Sequence, residues 1–164
     1  MAVAALFLGS NLHDRRAYLY SALTLIGAGP VSIEKLSPLY ETEPVDCPPQ
    51  PWFLNRVAIA HTGLPPKMLL EFLLSVEARL GRRRPVERGP RTVDIDLLFV
   101  DHVACRTAKL TLPHRALAWR RCALVPLCDV APSWNHPTLG LSATELLAAC
   151  RDQSRVIRTI GQGL

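Results

Sequence analysis

The chain has 164 residues, 49% of them hydrophobic and 20% charged, with a formal net charge of +5 and a pI of about 9.2. That balance describes one folded domain, taken as 1–164, and excludes a disordered chain. No apolar run approaches the roughly 20 residues of a membrane helix, so no membrane partner is expected, whereas the basic charge suits phosphate-bearing ligands.

In chain order, "VAALFLG" (3–9) is an apolar run of strand length. The opening "MAVAALFLGS" has no basic start and runs into polar sequence, so it is read as a buried strand and not a signal peptide. A helix follows over "HDRRAYLYSALTLIGAG", with Asp14 as cap, Leu19, Leu23 and Ile26 on one face, and Gly27 and Gly29 ending it. "VSIEKLSPLYET" (31–42) reads as a strand in which Pro38 marks an edge or a bulge. The loop "EPVDCPPQP" (43–51) is stiffened by four prolines. "WFLNRVAIAH" (52–61) alternates, placing Phe53, Asn55, Val57 and Ile59 on one face. "LPPKMLLEFLLSVEARLG" carries the strongest helical pattern, with prolines at its start and Gly81 at its end. The strand "TVDIDLLFV" (92–100) comes next.

This order, β-α-β-β-α-β, predicts an α+β fold: a ferredoxin-like antiparallel sheet with helices packed on it. A C-terminal extension follows. In it "LTLPHRALAWRRCALVPLCDVAP" mixes a loop with a short helix, and "LSATELLAACRD" is a helix opened by Ser142 and Glu145 as a capping box. "SRVIRTI" reads as a last strand. Five cysteines without a CxxC pair give no zinc spacing and read as free thiols in a reducing cytoplasm. His13, His61, His102 and His136 lack partner spacing and read as surface residues, and Trp134 reads as structural.

The chemistry is concentrated in "GRRRPVERGPRTVDIDLLFV" (81–100). Five arginines fall between Arg82 and Arg91, and Asp94 and Asp96 follow directly. A strand alternates its side chains, so both acids point to one face, roughly 7 Å apart, while Ile95 and Leu97 point into the core. Two such carboxylates repel each other unless a positive charge sits between them. Magnesium takes hard oxygen ligands, often one or two carboxylates completed by phosphate and water, and a pair of such ions can clamp a transferring phosphoryl group. Arginines beside them would neutralise a polyphosphate. Sixteen of the nineteen basic residues are Arg, which suits bidentate phosphate recognition, although an arginine-favouring genome gives the same count. An arginine run is also a common solvated face, and a DxD pair a common surface alternation. Their adjacency around "GPRT" is what favours phosphoryl transfer.

"RGPRTVDIDLLFV" resembles the signature of the 6-hydroxymethyl-7,8-dihydropterin pyrophosphokinase family. The likeness extends in order through "FLGSN" (7–11), "YETEP" (40–44), "QPWFLN" (50–55), Arg82, Arg84 and Arg88, "LTLPH" (110–114) and "LVPLCDVAP" (124–132). It implies a ferredoxin-like fold and transfer of pyrophosphate from ATP to the hydroxymethyl oxygen of the dihydropterin, leaving AMP. It assigns Asp94 and Asp96 to two magnesium ions, and Arg82 and Arg91 to the phosphates as catalytic groups. Arg84 and Arg88 would lie on a closing loop. Glu77, Leu97, Lys109, Thr111, His114 and Arg120 would lie on the ATP side. For the pterin it implies Thr42, Pro44 and Val45 as walls, Phe53 as a stacking ring and Asn55 as the reader of the ring edge, with Cys122 beside them. The implied partners are small molecules, with no nucleic acid, for a monomer in the cytoplasm.

Three positions depart from the family's pattern. One residue is missing between Arg88 and Gly89, Cys122 stands where an aromatic is common, and Asp46 stands where a glycine is common. Trp119 is the candidate to supply the missing ring. Other readings are an RNA-binding module, a different two-metal transferase, and a homologue that binds ATP without turnover. The first strand lacks the stacking aromatics of an RNA platform, and "FLN" after a proline-rich loop fits a flat heterocycle.

Overall fold

A computed structural model of the chain describes residues 1–81 and 89–160. Arg82, Arg84 and Arg88 therefore lie outside the described residues. The central sheet contains β1 (Ala2–Ser10), β2 (Val31–Leu36), β3 (Tyr40–Thr42), β4 (Phe53–Thr62), β5 (Asp94–Val100) and β8 (Val156–Arg158), in the order β5-β1-β4-β3-β8 with β2 also on β4. All pairings are antiparallel. Helices α1 (Arg15–Gly27) and α2 (Pro66–Arg79) follow β1 and β4, so the ferredoxin-like arrangement expected from the sequence is observed, with its second strand divided into β2 and β3. The small ribbon of β6 (Cys105–Arg106) and β7 (Thr111–Leu112), a 3-10 turn (Leu117–Trp119), α3 (Arg121–Val130) and α4 (Ala143–Ala149) make up the extension.

The sheet is apolar on both faces because helices cover both. Leu6, Leu8, Leu54 and Ala58 pack with Leu19 and Ile26 of α1 and Leu69 and Leu73 of α2. Ala5, Phe7, Val57 and Ile59 pack with Leu124 and Leu127 of α3 and Leu146 of α4. Truncating one fully buried leucine such as Leu73 would cost about 2–5 kcal/mol. The proposed caps form: Asp14 accepts from the Ala17 N–H at 3.0 Å, and Ser142 and Glu145 make the reciprocal capping box. Gly81 ends α2 with φ +76°, a conformation that favours glycine.

Two local expectations need correction. The stretch 31–42 is two strands and not one. Ser37 N–H donates to the Val57 carbonyl, and its hydroxyl accepts from the Val57 N–H at 2.9 Å. Its own carbonyl is left to take the buried Arg56 guanidinium at 2.6 Å. Pro38 follows without an N–H to donate, and the strand breaks. The short helix expected after His114 is present as α3, ten residues long. His136 is buried and not a surface group: its Nδ1 accepts from the Thr138 and Leu139 N–H groups, and its ring lies edge-on to Trp134, which stacks on Phe99.

A bulge interrupts the alternation of β5. Leu6 pairs with Leu97 and Ala5 with Phe99, so Leu98 is the extra residue. The bulge turns both Leu98 and Phe99 to the α3 face, while before it regular alternation against Gly9–Leu6 puts Asp94 and Asp96 on that face and Ile95 and Leu97 in the α1–α2 core.

Candidate active site

At the Asp94 end of β5 lies a cavity of about 560 Å³. Its floor is the sheet. Gly9 pairs with Asn55 on one side and Asp94 on the other, and Phe7 pairs with Val57 and Asp96. Phe53, Asn55, Asp94 and Asp96 therefore stand on one surface in fixed register. One wall is the loop after β3, through Thr42, Pro44 and Val45. The other comes from His114, Trp119, Arg120 and Cys122.

Asn55 is held rigidly. Its Nδ2 donates to the Leu8 carbonyl at 3.2 Å, and its Oδ1 accepts from the Thr42 hydroxyl at 2.5 Å. A carbonyl can only accept, so the Leu8 bond fixes which end of the amide is nitrogen. One N–H and one lone pair remain uncommitted by these two bonds, a paired donor and acceptor beside the Phe53 ring.

Arg91 Nη1 lies 2.6 Å from Asp94 Oδ2, and Arg120 Nη1 lies 3.7 Å from Asp96 Oδ2. The Arg91 guanidinium also stands 5.7 Å over the Phe53 ring. The segment carrying Arg91 is clamped by Asn11, which is buried. Asn11 Oδ1 accepts from the Arg91 N–H at 2.8 Å, while its Nδ2 donates to Gln50 and to the Pro51 carbonyl. One side chain thus ties the arginine segment to the proline-rich loop.

His114 sits between these groups as a neutral imidazole. Burial, reinforced by the Arg120 charge, pushes its pKa down to about 4. Nδ1 accepts from the Ala116 N–H at 3.2 Å, which leaves the ring proton on Nε2. The Cys122 thiol is pushed up to about 11 by burial, so it lines the cavity as an uncharged, unreactive group.

Of the residues named from the sequence, Thr42, Pro44, Val45, Phe53, Asn55, Arg91, Asp94, Asp96, His114, Arg120 and Cys122 line this one cavity. Glu77, Leu97, Lys109 and Thr111 do not. Glu77 is buried on α2 and Leu97 is in the core, while Lys109 is exposed in the turn between β6 and β7 and Thr111 is half-buried on β7. Sequence reasoning gave no role to Gly9 or Asp152, which also line the cavity. A glycine inside a strand is a usable sign of close approach; Asp152 has no local signature. Two half-buried carboxylates on one face form a hard-oxygen donor set that fits magnesium with phosphate and water completing its shell. Among the described residues no group of three or more metal-ligating side chains occurs.

The family model for 7,8-dihydro-6-hydroxymethylpterin-pyrophosphokinase (HPPK) matches residues 5–132. The chain belongs to this family. As an HPPK it is an ATP-dependent pyrophosphokinase of folate biosynthesis that transfers pyrophosphate from ATP to hydroxymethyldihydropterin. It is 41% identical over 133 residues to the 2-amino-4-hydroxy-6-hydroxymethyldihydropteridine pyrophosphokinase of Methylorubrum extorquens, covering 80% of this chain and 84% of that one. The protein of the same name from Bacillus subtilis is 39% identical over 129 residues, 78% of this chain and 77% of its own. The Folic acid synthesis protein fol1 of Pneumocystis carinii is 35% identical over 135 residues, but this chain spans only 18% of it. Among solved structures, the Plasmodium falciparum HPPK-DHPS wild type with SDX-DHP superposes with a TM-score of 0.69 at 17% identity, covering 91% of this chain and 43% of that one. That likeness carries the fold alone. No helix among the described residues is long and apolar enough to cross a membrane.

Proposed function

We propose that this HPPK binds the dihydropterin against Phe53, with Asn55 reading the ring edge and Thr42, Pro44, Val45 and Cys122 around it. ATP then lies across Asp94 and Asp96 toward His114 and Arg120. Asp94 and Asp96 would hold two magnesium ions, which when bound neutralise the polyphosphate and polarise the transferring group. Arg91, with Arg82 from outside the described residues, neutralises charge on the phosphates; Arg84 and Arg88 close over them. Neutral His114 offers its Nε2 proton to the nucleotide as a hydrogen-bond donor. Glu77, Leu97, Lys109 and Thr111 would act from behind the cavity or at its rim. The chain works as a single domain and a monomer in the cytoplasm.

The observation that carries this reading is the pairing of Gly9 with both Asn55 and Asp94. It supports an acceptor site and a phosphate site side by side on one rigid surface, which in-line transfer requires.

The test is product analysis with ATP, magnesium and the dihydropterin. AMP should form only when all three are present. Asp96→Ala should abolish it, and Asn55→Ala should raise the KM for the pterin alone. Undiminished AMP formation by Asp96→Ala would remove the metal assignment.

A further inference from the structure

The stretch matched by the family model ends at residue 132. Beyond it, β8 adds to the edge of β3, pairing Val156 with Thr42 and Arg158 with Tyr40. The residue before β8, Arg155, touches both ends of the proline-rich loop. At the loop's start, its N–H donates to Glu43 Oε1 at 2.9 Å and its Nε to Oε2 at 3.2 Å. The Glu43 N–H answers by donating to the Arg155 carbonyl at 3.2 Å. At the loop's end, the same guanidinium lies 4.7 Å from the centre of the Trp52 ring. The segment carrying Arg155 is itself anchored to the far wall of the cleft. Asp152 accepts from the Arg121 N–H at the start of α3 with Oδ2 and from the Ser154 N–H with Oδ1.

We infer that Arg155 is a positioning residue for the acceptor substrate: it staples Glu43 to Trp52 and so holds the loop in the shape that walls the pterin. The inference rests on the pterin assignment above. A lone exposed ion pair contributes little, and the Arg155 side chain is 68% exposed. Here one planar group combines a charge-assisted hydrogen bond with a face-on aromatic contact, which closes the loop at both ends at once. A loop held in its binding shape before the ligand arrives spares the ligand that ordering cost, so the staple acts on affinity. It lies outside the phosphate end of the cleft, so it leaves ATP untouched.

The experiment compares wild type with Arg155→Ala, Arg155→Lys and Asn55→Ala. It reads equilibrium binding of the dihydropterin and of a non-hydrolysable ATP analogue, together with kcat and melting temperature. Arg155→Ala keeps the backbone bonds and removes the side chain beyond Cβ, the guanidinium with it. Its dihydropterin Kd should rise about fivefold, in the range for losing a partly exposed cation–aromatic contact with its ion pair. ATP-analogue binding and kcat should stay as in wild type, and melting temperature should fall by no more than about 2–4 °C, the stability the staple itself supplies. Arg155→Lys should fall between, since lysine keeps the charge and loses the flat face. If Asn55→Ala weakens pterin binding and Arg155→Ala does not, the staple is overturned and the pterin assignment stands. If Asn55→Ala leaves pterin binding intact, the assignment falls and takes the staple with it. An equal loss of ATP binding in Arg155→Ala would mark a structural role only and overturn the inference.

Discussion

Gly9 lies directly beneath the Asn55 side chain: a Cβ at position 9 would stand 2.3 Å from Asn55 Nδ2. Real atoms do not approach so closely, and the amide cannot yield without leaving the Leu8 carbonyl and the Thr42 hydroxyl that hold it. Gly9→Ala should therefore fold but turn the Asn55 amide away from the pterin. Losing one oriented hydrogen bond is worth about 1.4 kcal/mol, or about tenfold in pterin KM. Steady-state kinetics with each substrate varied in turn checks this; an ATP KM that rises equally would refute it.

Thr42→Val tests the same amide from the other side. The change conserves volume and removes the hydroxyl, leaving Asn55 Oδ1 without that donor in a buried position. Stability should fall by about 1–3 kcal/mol, the usual cost of losing a buried partner, and pterin KM should rise with it. Thr42→Ser keeps the hydroxyl and should restore pterin KM. Urea melts paired with kinetics separate the two effects.

Much of this site is legible in the chain because its signals are local. Alternation around Asp94 and Asp96 is a period-two pattern, and so is the face shared by Phe53 and Asn55. The bulge at Leu98 is not legible, since it depends on the register against Ala5 and Leu6, nearly a hundred residues away. Ser37 reads as mid-strand until its partner Val57 is known, because only then does its hydroxyl stand in for a backbone acceptor. Asp152 lines the cleft and Arg155 meets its proline-rich loop only through tertiary contacts around β8, for which the sequence carries no periodic cue. Glu77 and Leu97 show the opposite case. Resemblance placed them near the nucleotide, and burial within the fold keeps both off the lining of the cavity.

The depressed His114 pKa makes a signed prediction about pH. Its folded value is about 4 against an ordinary 6.5. Between these values the unfolded chain binds the extra proton and the folded chain does not, so stability rises with pH in this window. Acidification from pH 6.5 to 4 should remove up to about 3 kcal/mol through this residue. His114→Gln, whose amide can still donate where Nε2–H did, should lack that component. Denaturant melts of both proteins at a series of pH values give the difference directly. A wild-type and variant difference that is flat across the window would show that His114 titrates normally.

Trp119 makes the last prediction. It is 67% exposed on the 3-10 turn and lines the cleft, its Nε1–H tied to the Arg115 carbonyl at 3.0 Å. Phe53 and Cys122 line the same cavity, and the Cys122 thiol is too small to cover a flat ring. If Trp119 supplies the second face, Trp119→Ala should raise pterin KM about fivefold, the usual worth of one aromatic contact, and leave ATP KM unchanged. Cys122→Phe in the Trp119→Ala background should then recover part of the loss, because it returns a ring to the lining of the same cavity. Kinetics of the two variants decide the matter. Unchanged pterin KM in Trp119→Ala would mean that Phe53 holds the ring from one side only.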